Sequence, residues 1–268
     1  MSRAPIGIFD SGLGGLTVTA ALFDRLPHES TIYFGDTARV PYGPKSPTTV
    51  RRYCSSILEW LLGQGVKAVV VACNTSSAHA LEELCAVSPV PVLGVIEPGA
   101  KAAAAVTQSG RVGVIGTGGT VASGASLRAL HALNPGLEII QQACPLFVPF
   151  VEEGWFTHPA TELVAREYLG PLISGRIDTL VLGCTHYPLL RPLLGKILGP
   201  DVALIDSAVA TADALVDVLE REGLRAEGSE EPPTHRFAVS DEARRFTEVG
   251  TRFLGARLTS VDVVALGA

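Results

Sequence analysis

Short apolar runs closed by glycine or hydroxyl turns recur along this chain, alternating with stretches in which apolar residues return every three or four positions. A short continuous apolar run suits a strand buried on both faces of a parallel sheet, and the longer periodic stretches suit amphipathic helices. Strands are predicted over residues 6–9, 31–34, 67–72 and 90–96. Helices are predicted over 16–25, 47–62, where Ile57, Leu58 and Leu61 share a face, and 76–85.

From Glu97 the pattern begins again. A helix over 100–106 precedes a strand over 111–115, whose closing turn places Thr117 where the opening unit has Ser11. Residues 137–140 answer 31–34, and residues 148–152 fall where Val40 to Gly43 fell. The apolar strand over 180–182 answers 67–72, and 202–206 answers 92–97. Beyond Asp206 the pattern gives a helix to about Glu222, a polar stretch over 225–234 expected to be mobile, and a strand over 236–239. A helix to Phe253 and a strand over 261–264 follow. These last elements are not a third copy and are expected to pad the first half. Strands alternating with helices imply parallel sheets. The predicted fold is α/β: two pseudo-twofold-related, flavodoxin-like domains with mainly parallel sheets and an active site in the cleft between them. The expected boundaries are residues 1–97 with 207–268 for the first domain and 98–206 for the second.

The duplicated unit carries a thiol at the same point each time. Cys73 follows one buried strand and is succeeded by Asn74 and Thr75; Cys184 follows the other and is succeeded by Thr185 and His186. In open parallel sheets ligands sit beyond the carboxyl ends of the strands, so both cysteines are expected to face one cleft from opposite sides. Two opposed acid/base groups are what inversion at a tetrahedral carbon requires: one removes a proton from one face while the other delivers a proton to the opposite face. A thiol with an ordinary pKa of about 8.5 reaches either protonation state near neutrality. A following helix N-terminus favours its thiolate. The turn residues Ser11, Asn74, Thr75, Thr117, Thr120 and Thr185 supply hydrogen-bond donors for the charge a deprotonated substrate would gain. Cys54, Cys85 and Cys144 read as small core hydrophobes instead.

Composition narrows the picture. At 268 residues, with a net charge of −6 and no basic block, the chain is not patterned for nucleic acid or an anionic membrane. No apolar run approaches the ~18 residues of a membrane helix, and the N-terminus lacks the pattern of a secretory signal. Five cysteines without scaffold spacing suit a reducing, cytoplasmic setting. A dinucleotide-binding oxidoreductase is the main competitor. Gly12, Gly14 and Gly15 open a helix after a strand, and Asp36 ends the next strand, but Thr17 stands where the third fingerprint glycine belongs. A metal site lacks paired ligands around Cys73, Cys184 and His186. None of the four lysines lies in a strand-end turn suited to a pyridoxal Schiff base.

Five segments in order, residues 9–16, 35–43, 72–75, 115–120 and 183–188, carry a resemblance that runs essentially end to end. The chain resembles the aspartate/glutamate racemase superfamily, and within it the branch that makes D-glutamate for bacterial peptidoglycan. The resemblance implies cofactor-independent racemisation in which Cys73 attacks the D-isomer and Cys184 the L-isomer. It further implies that Asp10 assists Cys73, and that His186, held by Glu152, assists Cys184. Ser11, Tyr42, Gly43, Asn74, Thr75, Thr117, Thr120 and Thr185, with Asp10 and His186, would hold the substrate. Aspartate or a hydantoin is the alternative substrate within the superfamily. A homodimer and activation by a muropeptide precursor are further implications. Gly118 and Gly119 depart from the expected pattern and are expected to loosen that turn.

Overall fold

The computed structural model describes residues 3–228 and 231–266. The first sheet holds six parallel strands in the order β10-β9-β2-β1-β3-β4. They are β1 (Ile6–Asp10), β2 (Thr31–Gly35), β3 (Ala68–Val71), β4 (Val92–Gly94), β9 (His235–Val239) and β10 (Val261–Val263). The second holds β5 (Arg111–Gly116), β6 (Glu138–Ala143), β7 (Thr179–Gly183) and β8 (Ala203–Asp206) in the order β6-β5-β7-β8, again all parallel. Four consecutive strands of the first sheet, β2-β1-β3-β4, therefore run in the same order as the second. The sequence repeat is a repeat of topology.

Alternation along the strands fills a core on each face. Ile8, Tyr33 and Val70 join one core of the first sheet, and Phe9, Phe34 and Val71 the other. In the second sheet Ile115, Leu180 and Leu182 face one way while Val112, Val114 and Val181 face the other. β1 and β7, interior strands of the two sheets, are buried throughout, which is why their middle residues form an unbroken apolar run.

Several elements differ from the sequence expectation. The strand predicted over 90–96 is confined to Val92–Gly94, because Ile96 already begins a helix, Ile96–Val106, with Pro98 in its first turn. A proline there removes no intrahelical bond. Residues 148–152, set opposite Val40 to Gly43 by the repeat, lie in a short helix, Phe147–Glu152. The C-terminal strands do more than pad the first half: β9 pairs with β2 and β10 with β9, extending that sheet. Of the polar stretch over 225–234, Ser229 and Glu230 lie outside the described residues. Ala226 is tied down, its N–H donating to Glu29, which forms a buried ion pair with Lys67 at the start of β3. Among the described residues no helix is long and apolar enough to cross a membrane.

Candidate active site

Each thiol stands one or two residues beyond a buried strand. Cys73 caps the helix Asn74–Val87, its sulfur accepting from the Ser76 N–H at 3.5 Å. Cys184 follows β7 directly and leads through Thr185 and His186 into a single 3₁₀ turn, Tyr187–Leu190. Both line one cavity of about 40 Å³ between the two sheets, and Ser11, Tyr42, Gly43, Asn74, Thr75, Thr117, Thr185 and His186 line it with them. Val40, Pro41 and Val148, in segments the sequence repeat had paired without assigning these three to the site, complete the wall. Asp10, Glu152 and Thr120 stand behind this lining and touch it through neighbours.

The two thiols have different surroundings. Cys73 donates to Ser11 Oγ at 3.7 Å. Burial, seconded by the Asp10 carboxylate, pushes its pKa up to about 11, against the Ser76 and Ser11 hydrogen bonds that favour the thiolate. Cys184 lies 3.9 Å from His186 Nδ1, and His186 Nε2 is 3.0 Å from Glu152 Oε1. Burial alone would depress the imidazole, yet Cys184 and Glu152 together carry it up to about 10. The site thus couples a protonated imidazole to one sulfur and a hydroxyl to the other. Asp10 sits between the two. Its carboxylate accepts from the Gly12 N–H at 2.9 Å and faces the Thr185 hydroxyl at 3.5 Å. Burial raises its pKa, offset by His186 and the backbone N–H groups of Gly12 and Gly15.

Hydroxyls and backbone stitch the halves together around the cavity. Thr75 of the first half and Thr117 and Thr120 of the second form a triangle with edges of 2.9, 3.1 and 3.0 Å. Thr17 Oγ1 donates to the Thr185 carbonyl at 3.1 Å, and the Gly119 N–H donates to the Gly43 carbonyl at 2.9 Å. Gly119 is needed for that approach, since a Cβ there would lie 2.7 Å from Gly43 O, whereas a Cβ at Gly118 meets nothing. The turn carrying Gly118 and Gly119 is therefore fastened across the cleft.

The glycine-rich turn after β1 serves the same closeness. A Cβ on Gly14 would lie 2.2 Å from Thr185 Oγ1 and 2.5 Å from His186 Nδ1; one on Gly15 would lie 2.6 Å from Asp10 Cβ. The space that a dinucleotide fingerprint would reserve for a pyrophosphate is filled here by the opposite half of the protein. Tyr42 lines the cavity. Its hydroxyl donates to the buried Asp36, which also accepts from Arg39 Nε and Ser240 Oγ. Among the described residues no group of three or more His, Cys, Asp or Glu is arranged to hold a metal ion.

Residues 7–215 match the family model for Asp/Glu/Hydantoin racemase. A glutamate racemase from Syntrophus aciditrophicus is 53% identical over 98% of this chain and 97% of its own length. The crystal structure of a glutamate racemase isoform from Bacillus anthracis superposes with a TM-score of 0.95 at 42% identity, covering 99% of both chains. That of the glutamate racemase from Francisella tularensis in complex with D-glutamate gives 0.93 at 38% identity, again covering 99% of both.

Proposed function

The chain belongs to the Asp/Glu/hydantoin racemase family, and from that premise we propose how it works: it interconverts L- and D-glutamate by proton transfer at Cα between Cys184 on one face and Cys73 on the other. The observation that carries this reading is the pair of thiols, presented by equivalent strands of two like-ordered sheets to one cavity. In the L-to-D direction the Cys184 thiolate, beside the His186 imidazolium, takes the Cα proton. The neutral Cys73 thiol delivers its own proton to the opposite face. The reverse reaction exchanges the roles, with Ser11 and the Ser76 N–H holding the Cys73 thiolate. Asp10 and Glu152 act through their neighbours, Glu152 by holding His186 and Asp10 by setting the charge between the two sulfurs. The carboxylate gains enolate-like charge as the proton leaves. Fixed donors at the N-terminus of the helix Asn74–Val87 and at Thr117, Thr120 and Thr185 suit that charge, a preorganised stabilisation that sidechain acid–base catalysis alone, worth roughly 10²–10⁴-fold, does not supply. The side chains do this without a cofactor.

Circular dichroism of L-glutamate incubated with the reduced, metal-free protein tests the reading. The signal should decay to zero, and Cys73→Ala and Cys184→Ala should each abolish the decay while leaving thermal unfolding cooperative. Full activity in either variant would sink it. D-aspartate run in parallel separates the superfamily's other substrates and should turn over far more slowly. We further propose that residues 1–97 with 207–268 move as one domain and 98–206 as the other. The same reading makes the protein a cytoplasmic homodimer supplying D-glutamate for peptidoglycan. Rescue of a D-glutamate auxotroph, sedimentation, and the response of turnover to an added muropeptide precursor test these in turn.

A further inference from the structure

We propose that the C-terminal helix, Ala243–Leu254, holds the His186–Glu152 pair in register, with Arg252 and Phe253 as positioning residues for the Cys184 side of the cleft. By its core contacts this helix belongs to the first half: Phe246, Val249 and Leu254 are buried with Ile6, Leu16 and Tyr33. Two adjacent residues near its end nevertheless reach the second half. Phe253 lies against the cores of both halves, and its ring meets that of His186 edge-on, at 6.0 Å and 89°. Arg252 Nη1 donates to the main-chain carbonyl of Glu152. Room for the guanidinium comes from Gly154, which turns the chain at φ +76°; a Cβ there would lie 3.1 Å from Nη1. Arg245 adds a longer contact, 3.5 Å from Nη2 to Glu153 Oε1.

Both nitrogens of His186 are committed, Nδ1 towards Cys184 and Nε2 to Glu152. A tilt of the ring therefore loosens both contacts at once. Glu152 and His186 belong to different elements of the second half, and the C-terminal helix touches each of them. An edge-on aromatic contact fixes a ring plane, and a charge-assisted bond to a carbonyl fixes the turn that carries the carboxylate. The titratable groups facing His186 are Cys184 and Glu152 from its own half and Asp10 from the other; Arg252 and Phe253 add no titrating partner. Their effect is geometric.

The kinetic part of the test rests on the racemase reading, in which Cys184 serves the L-face. Phe253→Ala and Arg252→Ala should lower kcat/KM by about tenfold, equally in both directions because the two enantiomers have the same free energy. The decisive readout is the primary isotope effect with α-deuterated substrate. Slowing only the L-face transfer should raise the effect from L-glutamate and lower it from D-glutamate, relative to the unaltered protein. Phe253→Leu, which keeps the packing, should restore most of both. A purely structural role would lower the melting temperature and the active fraction and leave the isotope effects unchanged; that result, or an equal change in both, overturns the proposal. Titration of the His186 ring by NMR gives a readout that needs no turnover: its midpoint should fall by at least about one unit in Phe253→Ala, and an unmoved midpoint also overturns the proposal. Were the unaltered protein inactive on glutamate, the racemase reading would fall, while the titration would still decide this one.

Discussion

Cys73 and Cys184 occupy equivalent positions but have been given different partners, and the difference has a pH signature. His186 is held protonated up to about pH 10 in the folded protein, against about 6.5 in an unfolded chain. Its folded pKa is the higher one. The stability it contributes is therefore fully present below about pH 6.5 and is lost as the pH rises through the folded value near 10. Urea denaturation of the parent protein should lose stability between pH 7 and pH 10, and His186→Asn should flatten that loss. Equal slopes for the two proteins would show that the imidazole is not held as described. The cysteines, the histidine and the first-half hydroxyls were legible in the sequence because each lies in the turn that closes a recognisable strand. Tyr42 was legible as a lining residue but not in its orientation, since the acceptor of its hydroxyl, Asp36, is fixed by the further bonds to Arg39 and Ser240. Ser240 lies just beyond β9, far along the chain, and no local pattern announces it.

At the scale of elements, the turns after β1 and β5 matter more for what they leave out than for what they contain. Gly14 has no room for a side chain because Thr185 and His186 fill the place of its Cβ, while Gly118 faces open space. Gly14→Ala is expected to cost about 1–3 kcal/mol through overpacking and on the order of 10²-fold in turnover through displacement of the Cys184 turn. Gly118→Ala should leave the chemistry intact. Parallel melting curves and racemisation rates of the two variants check this, and a harmless Gly14→Ala would refute the close approach. Both glycines look alike in the sequence, each opening a Gly-Gly pair two residues after another glycine, in Gly12-Leu13-Gly14-Gly15 and Gly116-Thr117-Gly118-Gly119. The element order was legible for a related reason, since burial on both faces leaves an unbroken apolar run. The reach of Arg252 to Glu152, and of Gly14 to Thr185, was not: these are contacts between segments a hundred residues or more apart.

At the scale of the whole molecule, the cavity between the sheets is narrow, about 40 Å³, and the two halves are bonded to each other across it. A substrate entering from that side is expected to part those bonds. The contacts that yield on that side are the Gly119–Gly43 bond and the threonine triangle. The Gly119 amide should accordingly exchange with solvent through the open form, and saturating D-glutamate should slow that exchange, as measured by NMR or mass spectrometry. An amide indifferent to ligand would place the opening elsewhere.

The chain leaves the first sheet after β4, builds the whole second sheet, and only then returns to add β9 and β10. Synthesis from the N-terminus therefore sets an order of completion. As it emerges from the ribosome, the middle of the chain, with β5 to β8 contiguous, has every strand of its sheet while the earlier half still exposes the edge of β2. The same return places the Ile96–Val106 helix beside Ser207, close enough that a Cβ on Gly99 would lie 2.4 Å from Ser207 Oγ. Both covalent crossings between the halves thus run side by side along one edge, and the last strands made are the ones that seal the sheet made first.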